Sequence, residues 1–542
     1  MKPLRSAWTL VLCLAPGLAA CAMADAGKAG GDFDDSATEG GWDTGDSNGI
    51  GTTDDTGAGE PPPPETEDDG DFRVPRASGK YVYSASESTD SVAVIDTSDL
   101  VIDVVEVGQG PTVVEPIPGQ PGDAGSVVVL DQGSNDVAVL RTSEAGATTV
   151  EIHKVTPGAN NLAVSPGGSY VFVYHDVDGP EQQGPGSDQE LSVLDLAAGV
   201  THRMTVGAHP RDVVFAPDES AAWVITAAGV NVISFAALGD VGKPPLLPVV
   251  KDPGVDPARV EVQIVAAERL ALARVDGEPW LAITQLPGGE LTVLDLPGVP
   301  TDLDVAPAGD FAVLTLPGPG GSAVLEVPLP LGPGMFAQHD VPGEYVGLAS
   351  VAADGDTMLL YTTVDPFQDD DGQPDPRQRI TLARRDGDAW DLVTLFVEVP
   401  LVSVGLAPDS RSAILVHDLD PAASAAAWSY SLFDLTPAFP LLKRQSTLAP
   451  PGPILFTPEG DRAAVLLRDD LADVRKVDLV NLDNFIVKPL LLGSPPEGAG
   501  YVDPTQKVFV SQAHPTGRIT FIGPDGAVQT VTGYVLNDSV KD

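Results

Sequence analysis

Thiols, cations and paired histidines are all scarce in this sequence. Its 542 residues include two cysteines, which excludes a disulfide framework and any cysteine-rich metal or cluster site. Lys and Arg number 30 against 78 Asp and Glu, a formal net charge of −48. Such a chain offers no basic face to displace counterions from phosphates, so a nucleic-acid binder is excluded. The N-terminal apolar run is too short to cross a bilayer as a helix. The seven histidines show no His-x-x-x-His metal spacing, and no Gly-x-Ser-x-Gly elbow anchors a serine triad. Glycine-rich phosphate and dinucleotide motifs are missing too. No stretch sustains a 3.6-residue apolar period, so helices are not expected. What is plentiful is Gly (57), Pro (51) and hydrophobic residues (43%), the composition of a buried core cut by many tight turns.

The first residues read as an address. Lys2 and Arg5 form a positive start, and Ala7 to Ala15 form a short apolar segment of the kind found in secretory leaders. Leu18-Ala19-Ala20-Cys21 follows at once. This tetrad resembles the lipobox of bacterial lipoproteins, which is cut before a cysteine whose thiol then carries diacylglycerol. The resemblance implies a signal peptide over 1–20, lipidation of Cys21 and attachment to a membrane of the cell envelope. Ala22 in place of Asp favours the outer membrane by the same resemblance. Because Cys13 lies in the leader, the mature chain would keep no unmodified thiol.

Residues 21–71 then change character. Gly, Asp, Ser, Thr and Ala dominate, and carboxylates outnumber the lone Lys28 by roughly fifteen to one. Apolar groups are too few to offset the entropy of ordering the backbone, so this segment is expected to be a disordered, self-repelling tether. Pro61 to Pro64 add a short stiff element.

From residue 72 to 542 one pattern recurs. Its first marker is an apolar residue followed by Asp, closing a strand: Ile95-Asp96, Leu194-Asp195, Leu294-Asp295, Phe433-Asp434 and Val477-Asp478. Its second is a small residue, Pro and a turn residue, as in Ser165-Pro166-Gly167, Ala216-Pro217-Asp218, Ala306-Pro307-Ala308, Ala407-Pro408-Asp409 and Thr457-Pro458-Glu459. A β-branched or aromatic strand follows each, such as Tyr170 to Val173. Units begin near Tyr81, Val127, Tyr170, Trp223, Leu270, Phe311, Met358, Ala413, Ala464 and Val508, about ten in all. Each reads as four short antiparallel strands, illustrated by 161–164, 170–174, 191–194 and 201–206. Val260 to Val265 fits no slot in this scheme, and one helical turn is conceivable over Pro421 to Trp428. The expected architecture is all-β: a β-propeller of four-stranded blades, a ring of seven or more, preceded by the tether. Closure is expected to pair the last strand, Val528 to Tyr534, with N-terminal material at 72–77.

Tyr81-Val82-Tyr83-Ser84 with Val94-Ile95-Asp96-Thr97, and Val107-Gly108-Gln109-Gly110-Pro111 leading onward, resemble the YVTN-type repeats of bacterial propellers. That resemblance implies the fold and leaves function open, since such propellers serve as binding proteins and as enzymes.

Candidate chemistry sits in loops and at inner-strand starts. Asp369, Asp371 and Asp375, with Gly372 at the turn, resemble part of a calcium loop; the plainer reading is a solvated acidic loop. His175 and His417 recur at one blade position, either facing each other across a rim or lying exposed in loops. Glu115, Asn160, Asn161, Arg211, Asp212, Asp302 and Asp304 fall near the starts of inner strands, where a channel site would be built. No set among them has a forced geometry, and no catalytic role is assigned. Two functions therefore stand: a membrane-anchored lipoprotein whose propeller binds a protein or glycan, or a propeller enzyme, a lactonase-like hydrolase or lyase with a metal in the channel.

Overall fold

The computed structural model describes residues 74–119, 123–177, 187–239, 242–318, 320–332, 335–365, 375–387, 389–420, 427–436 and 440–534. The signal peptide, Cys21, the acidic linker, Asp369 and Asp371 lie outside them. Forty strands form ten four-stranded antiparallel sheets, each built from four consecutive strands. These are blades 1 to 10, spanning 76–106, 111–154, 161–205, 210–247, 260–295, 302–342, 348–396, 401–447, 451–491 and 496–532. All ten unit starts read from the sequence fall inside the second strand of a blade.

Local chemistry explains the repeat. In blade 3 the turn between strands one and two closes with Gly168 N–H donating to Ser165 C=O at 2.8 Å, Gly168 having φ +68°. Pro166 presets the preceding φ, and the left-handed residue completes a hairpin loop of the bulged type. Blades 4 and 8 use the same geometry with Glu219 and Ser410 in the left-handed position. Blade 7 makes it without proline, through Ala352 and Gly355. The apolar-Asp marker caps the next hairpin: Asp96, Asp195 and Asp434 each accept the backbone N–H two residues on, at 2.8, 3.0 and 2.9 Å.

Two expectations need correction here. Leu294-Asp295 ends the fourth strand of its blade rather than the third, because Val260–Val265, which seemed surplus, is the inner strand of blade 5. Trp428 opens the third strand of blade 8, whereas 421–426 lie outside the described residues.

Second and third strands are buried and fourth strands are largely exposed, while first strands lie against first strands of neighbouring blades. The first strands therefore face the ring axis. Antiparallel alternation places the starts of strands one and three and the ends of strands two and four on one face of the ring, here the upper face. Ten apolar clusters hold the ring, and each joins two successive blades. The tenth joins Val82 and Ile95 of blade 1 to Phe509, Phe521 and Tyr534 at blade 10. Ten blades with ten shared cores make a closed ring. The seam adds a Ser84 Oγ to Tyr534 OH contact at 3.3 Å, Thr97 to Thr505 at 2.9 Å, and Lys507 Nζ donating to Thr97 C=O at 2.6 Å.

Closure by strand pairing is overturned. Val528–Thr532 pairs with Arg518–Ile522, and Arg76–Ser78 pairs with Tyr81–Ser86, each inside its own blade. Side-chain packing substitutes for a shared sheet, because blade 10 already has four strands of its own.

Candidate functional site

The inner strands present an edge of backbone groups to the channel, and such groups need partners when water is partly excluded. Every inner-strand candidate named from sequence lies on or beside one of these strands, and the structure shows what each does. Glu115 accepts from Arg76 of blade 1 at 3.3 Å. Asn160 holds Asp176 from both sides, donating to its C=O at 2.8 Å and accepting its N–H at 2.7 Å. Asn161 and Asp212 accept the N–H of the residue that follows each, at 2.8 and 2.7 Å. Arg211 donates to Pro257 C=O at 3.4 Å, and its own C=O accepts from Tyr174 OH at 3.4 Å. Asp212 therefore closes on its own strand, while Arg211, at a register shift in that strand, reaches the next blade.

Asp302 and Asp304 behave differently. Two residues apart on the inner strand of blade 6, they point the same way, toward blade 7. Asp302 Oδ2 accepts Ala349 N–H at 2.8 Å, and Asp304 Oδ2 accepts Val351 N–H at 2.9 Å. Both acceptors therefore satisfy the edge of the next inner strand, tying blade to blade. Burial pushes Asp302 up to about 8, with the charges of Glu261 and Asp304 adding to it. Asp304 rises to about 6 for the same reason, offset by the two N–H bonds it accepts. Tyr361, half-buried beside them and contacting Ser350 Oγ at 3.4 Å, is pushed up to about 12 by desolvation. Glu261 is raised by burial even though Arg274 holds it at 2.5 Å; Arg274 also binds Asp276 at 2.9 Å. The result is an acidic patch over the inner strands of blades 5 to 7, in which Asp302 holds its proton well above the usual carboxylate range beside the Arg274 ion pairs. Chemically it can donate a hydrogen bond or a proton, and it attracts cations.

Glu261, Arg274 and Tyr361 escaped the sequence reading. Glu261 sits in the strand that seemed surplus; an inner slot left empty in unit five, beside an alternating Val-Glu-Val-Gln-Ile-Val, was the signal for it. Tyr361 carried no sequence signal, since only the ring brings it to Asp302.

A second acidic pair lies at the blade 1–2 junction. Asp131 is buried and pushed up to about 8 by that burial, and it accepts Gly108 N–H at 3.0 Å. A side chain at Gly108 would meet Asp136 Oδ1 at 2.3 Å, so a larger residue there would displace these acidic side chains. Lys154 Nζ already occupies Asp136 at 2.5 Å.

The loop candidates are structural where they are described. His175 and His417 are buried rather than exposed, and neither faces the other. His175 Nδ1 bonds Gly158 C=O at 2.8 Å. His417 bonds Val399 C=O at 3.0 Å and Ser431 Oγ at 2.7 Å, and burial lowers its pKa to about 4. His175 follows strand two of blade 3 and His417 ends strand two of blade 8, and each braces the chain that leads into its own blade's inner strand. Asp375 caps the short turn Pro376–Gln378 and binds Arg377 at 2.8 Å. Among the described residues no three His, Cys, Asp or Glu side chains converge to hold a metal ion, and no helix is long and apolar enough to cross a membrane.

The molecule is a ten-bladed β-propeller. No protein-family model matches the chain, and no curated protein matches it. Solved structures that resemble it include a eukaryotic initiation factor at 15% identity, covering 73% of this chain and 93% of that one with a TM-score of 0.48. The dihydro-heme d1 dehydrogenase NirN, in complex with DHE, is 15% identical over 69% of this chain and 74% of its own, with a TM-score of 0.40. A putative 6-phosphogluconolactonase from Bacteroides uniformis is 14% identical over 73% of this chain and 96% of its own, with a TM-score of 0.33.

Proposed function

We propose that this protein is a binding module: a propeller held at a bacterial envelope membrane by a lipid on Cys21, of the outer membrane by preference, that offers its rim to a protein or glycan. The observation that carries this reading is the employment of the channel carboxylates. Asp302 and Asp304 take the N–H groups of Ala349 and Val351, Glu115 takes Arg76, and Glu261 takes Arg274. Groups spent on joining blades, or paired inside one as Glu261 is, are poorly placed to act on a substrate. Anchoring is supported by the lipobox resemblance at Cys21, and the acidic segment after it would hold the ring away from the lipid.

One observation favours the second reading, a lactonase-like hydrolase. Asp302, pushed up to about 8 beside Tyr361, has the protonation state a general acid needs. The test has two arms. Cys21→Ala is expected to move the full chain from the membrane fraction to the soluble one; retention would refute anchoring. Lactone hydrolysis is expected at background in the unaltered protein; turnover that disappears in Asp302→Asn would replace binding with catalysis.

A further inference from the structure

Exposed apolar residues are not spread evenly over the ring. On the upper face of blades 7, 8 and 9 the loop tips and strand ends carry Val364, Phe396, Leu419, Leu448, Leu471 and Leu491. Leu448 is 83% exposed, Leu471 102% and Leu491 81%, values that no packing requirement of the fold explains. Val101, Val200, Met335, Leu441, Ile486 and Val528 are exposed too, at or just before the starts of fourth strands on the opposite face, while Ile152 in blade 2 and Val299 between blades 5 and 6 lie apart from the arc.

The charged groups around this arc are largely ion-paired, with six carboxylates to four guanidiniums in these pairs, an acidic margin that favours a zwitterionic over an anionic lipid surface. Arg377 binds Asp375 at 2.8 Å and Asp418 at 3.4 Å. Arg444 binds Asp420 at 2.8 Å and Glu398 at 3.6 Å. Arg468 pairs with Asp470 at 2.9 Å and Arg475 with Asp473 at 2.7 Å. The place where the preceding chain joins the ring supplies an independent observation. Val74 stands at the start of the first inner strand, hence on the upper face, and packs over Gly498 of blade 10. Seventy-three residues precede it, so they enter the ring on the same face as the arc and beside it.

We infer that this arc is a lipid-docking surface, by which the ring rests its blade 7–9 tips on a zwitterionic bilayer. The inference rests on the anchored reading for its biological setting, since a tether that enters this face turns it toward the lipid. Isolated aliphatic tips suit the interfacial layer, where buried apolar area sets affinity. Tethering raises the local concentration of membrane, so a weak contact suffices.

The test uses the chain from residue 22, which lacks the lipidated cysteine, contains no other and keeps the whole ring, closed by its own seam. Leu448→Cys, Leu471→Cys and, on the opposite face, Ile486→Cys each carry a polarity-sensitive fluorophore, and phosphatidylcholine vesicles are added. A blue shift at 448 and 471 with none at 486 is expected. With the probe at Val364→Cys, adding Leu448→Ser, Leu471→Ser and Leu491→Ser should raise the lipid needed by at least about tenfold. No shift at 448 and 471 in millimolar lipid, or an equal shift at 486, overturns the inference. So does a shift without lipid that grows with protein concentration, which would mark the arc as a contact between copies. Because this chain carries no lipid, failure here leaves the Cys21→Ala fractionation to decide anchoring on its own.

Discussion

Asp302→Asn isolates the cost of keeping a carboxyl inside the ring wall. The folded pKa, about 8, stands above the ordinary 3.8. The folded carboxyl is neutral where the unfolded one is ionised, so its presence lowers stability progressively as pH rises from 3.8 toward 8. If fully realised, that difference would amount to about 6 kcal/mol at pH 8. Asp302 keeps some exposure toward the channel, and water there screens the effect, so about a third, ~2 kcal/mol, is expected. Asparagine still accepts the Ala349 N–H through its amide oxygen but does not ionise. Unfolding entropy of about 2 cal/mol/K per residue makes about 1 kcal/mol/K for a ring of this size, so ~2 kcal/mol is about 2 °C in Tm. Scanning calorimetry should therefore show Asp302→Asn melting about 2 °C above the unaltered protein at pH 8, with the gap closing toward pH 4.5. A variant that melts at or below the unaltered protein throughout this range would refute the electrostatic account.

His417 has the opposite sign. Its folded pKa, about 4 against 6.5, means that stability is lost as pH falls from 6.5 to 4; His417→Gln should flatten that acid limb, and an unchanged limb would count against it. At the seam, Phe509→Ala removes a buried ring shared by blades 1 and 10 and should cost about 3–5 kcal/mol. Hydrogen exchange should then accelerate first in Tyr81–Ser86 and Lys507–Gln512, and uniform acceleration round the ring would show that the seam is not a separate opening unit.

The blades were legible because their determinants are local. A proline, a left-handed turn residue and a β-branched run lie within a dozen positions, and Tyr170 to Val173 or Trp223 announce strand two without help from the rest of the chain. Strand one of blade 5 was misplaced because Val260–Val265 has no prolyl turn beside it, and Leu294-Asp295 repeats the marker in another strand. Closure was beyond reach for a different reason: Val82, Ile95, Phe509 and Phe521 look like any core residues until the ring brings positions more than four hundred residues apart together. The candidate site divides along the same line. Sequence position marked Asp302 and Asp304, but their partners are N–H groups 47 residues away, and backbone donors leave no trace in side-chain patterns. His175 and His417 recur at one blade position in the sequence, which suggests rim or exposed loop residues, but both are buried, because burial depends on the blade that covers them.

The seam also sets how the ring meets force. Nine of its ten blade junctions are crossed by the polypeptide, whereas blades 10 and 1 meet through packed side chains and polar contacts. A pull on the N-terminal segment reaches the fold at Arg76–Ser78, a three-residue strand held by a short ladder to Tyr81–Ser86, directly beside that junction. Tension would be felt first there, so a membrane-held ring would yield by peeling at its one non-covalent joint before any other blade was disturbed.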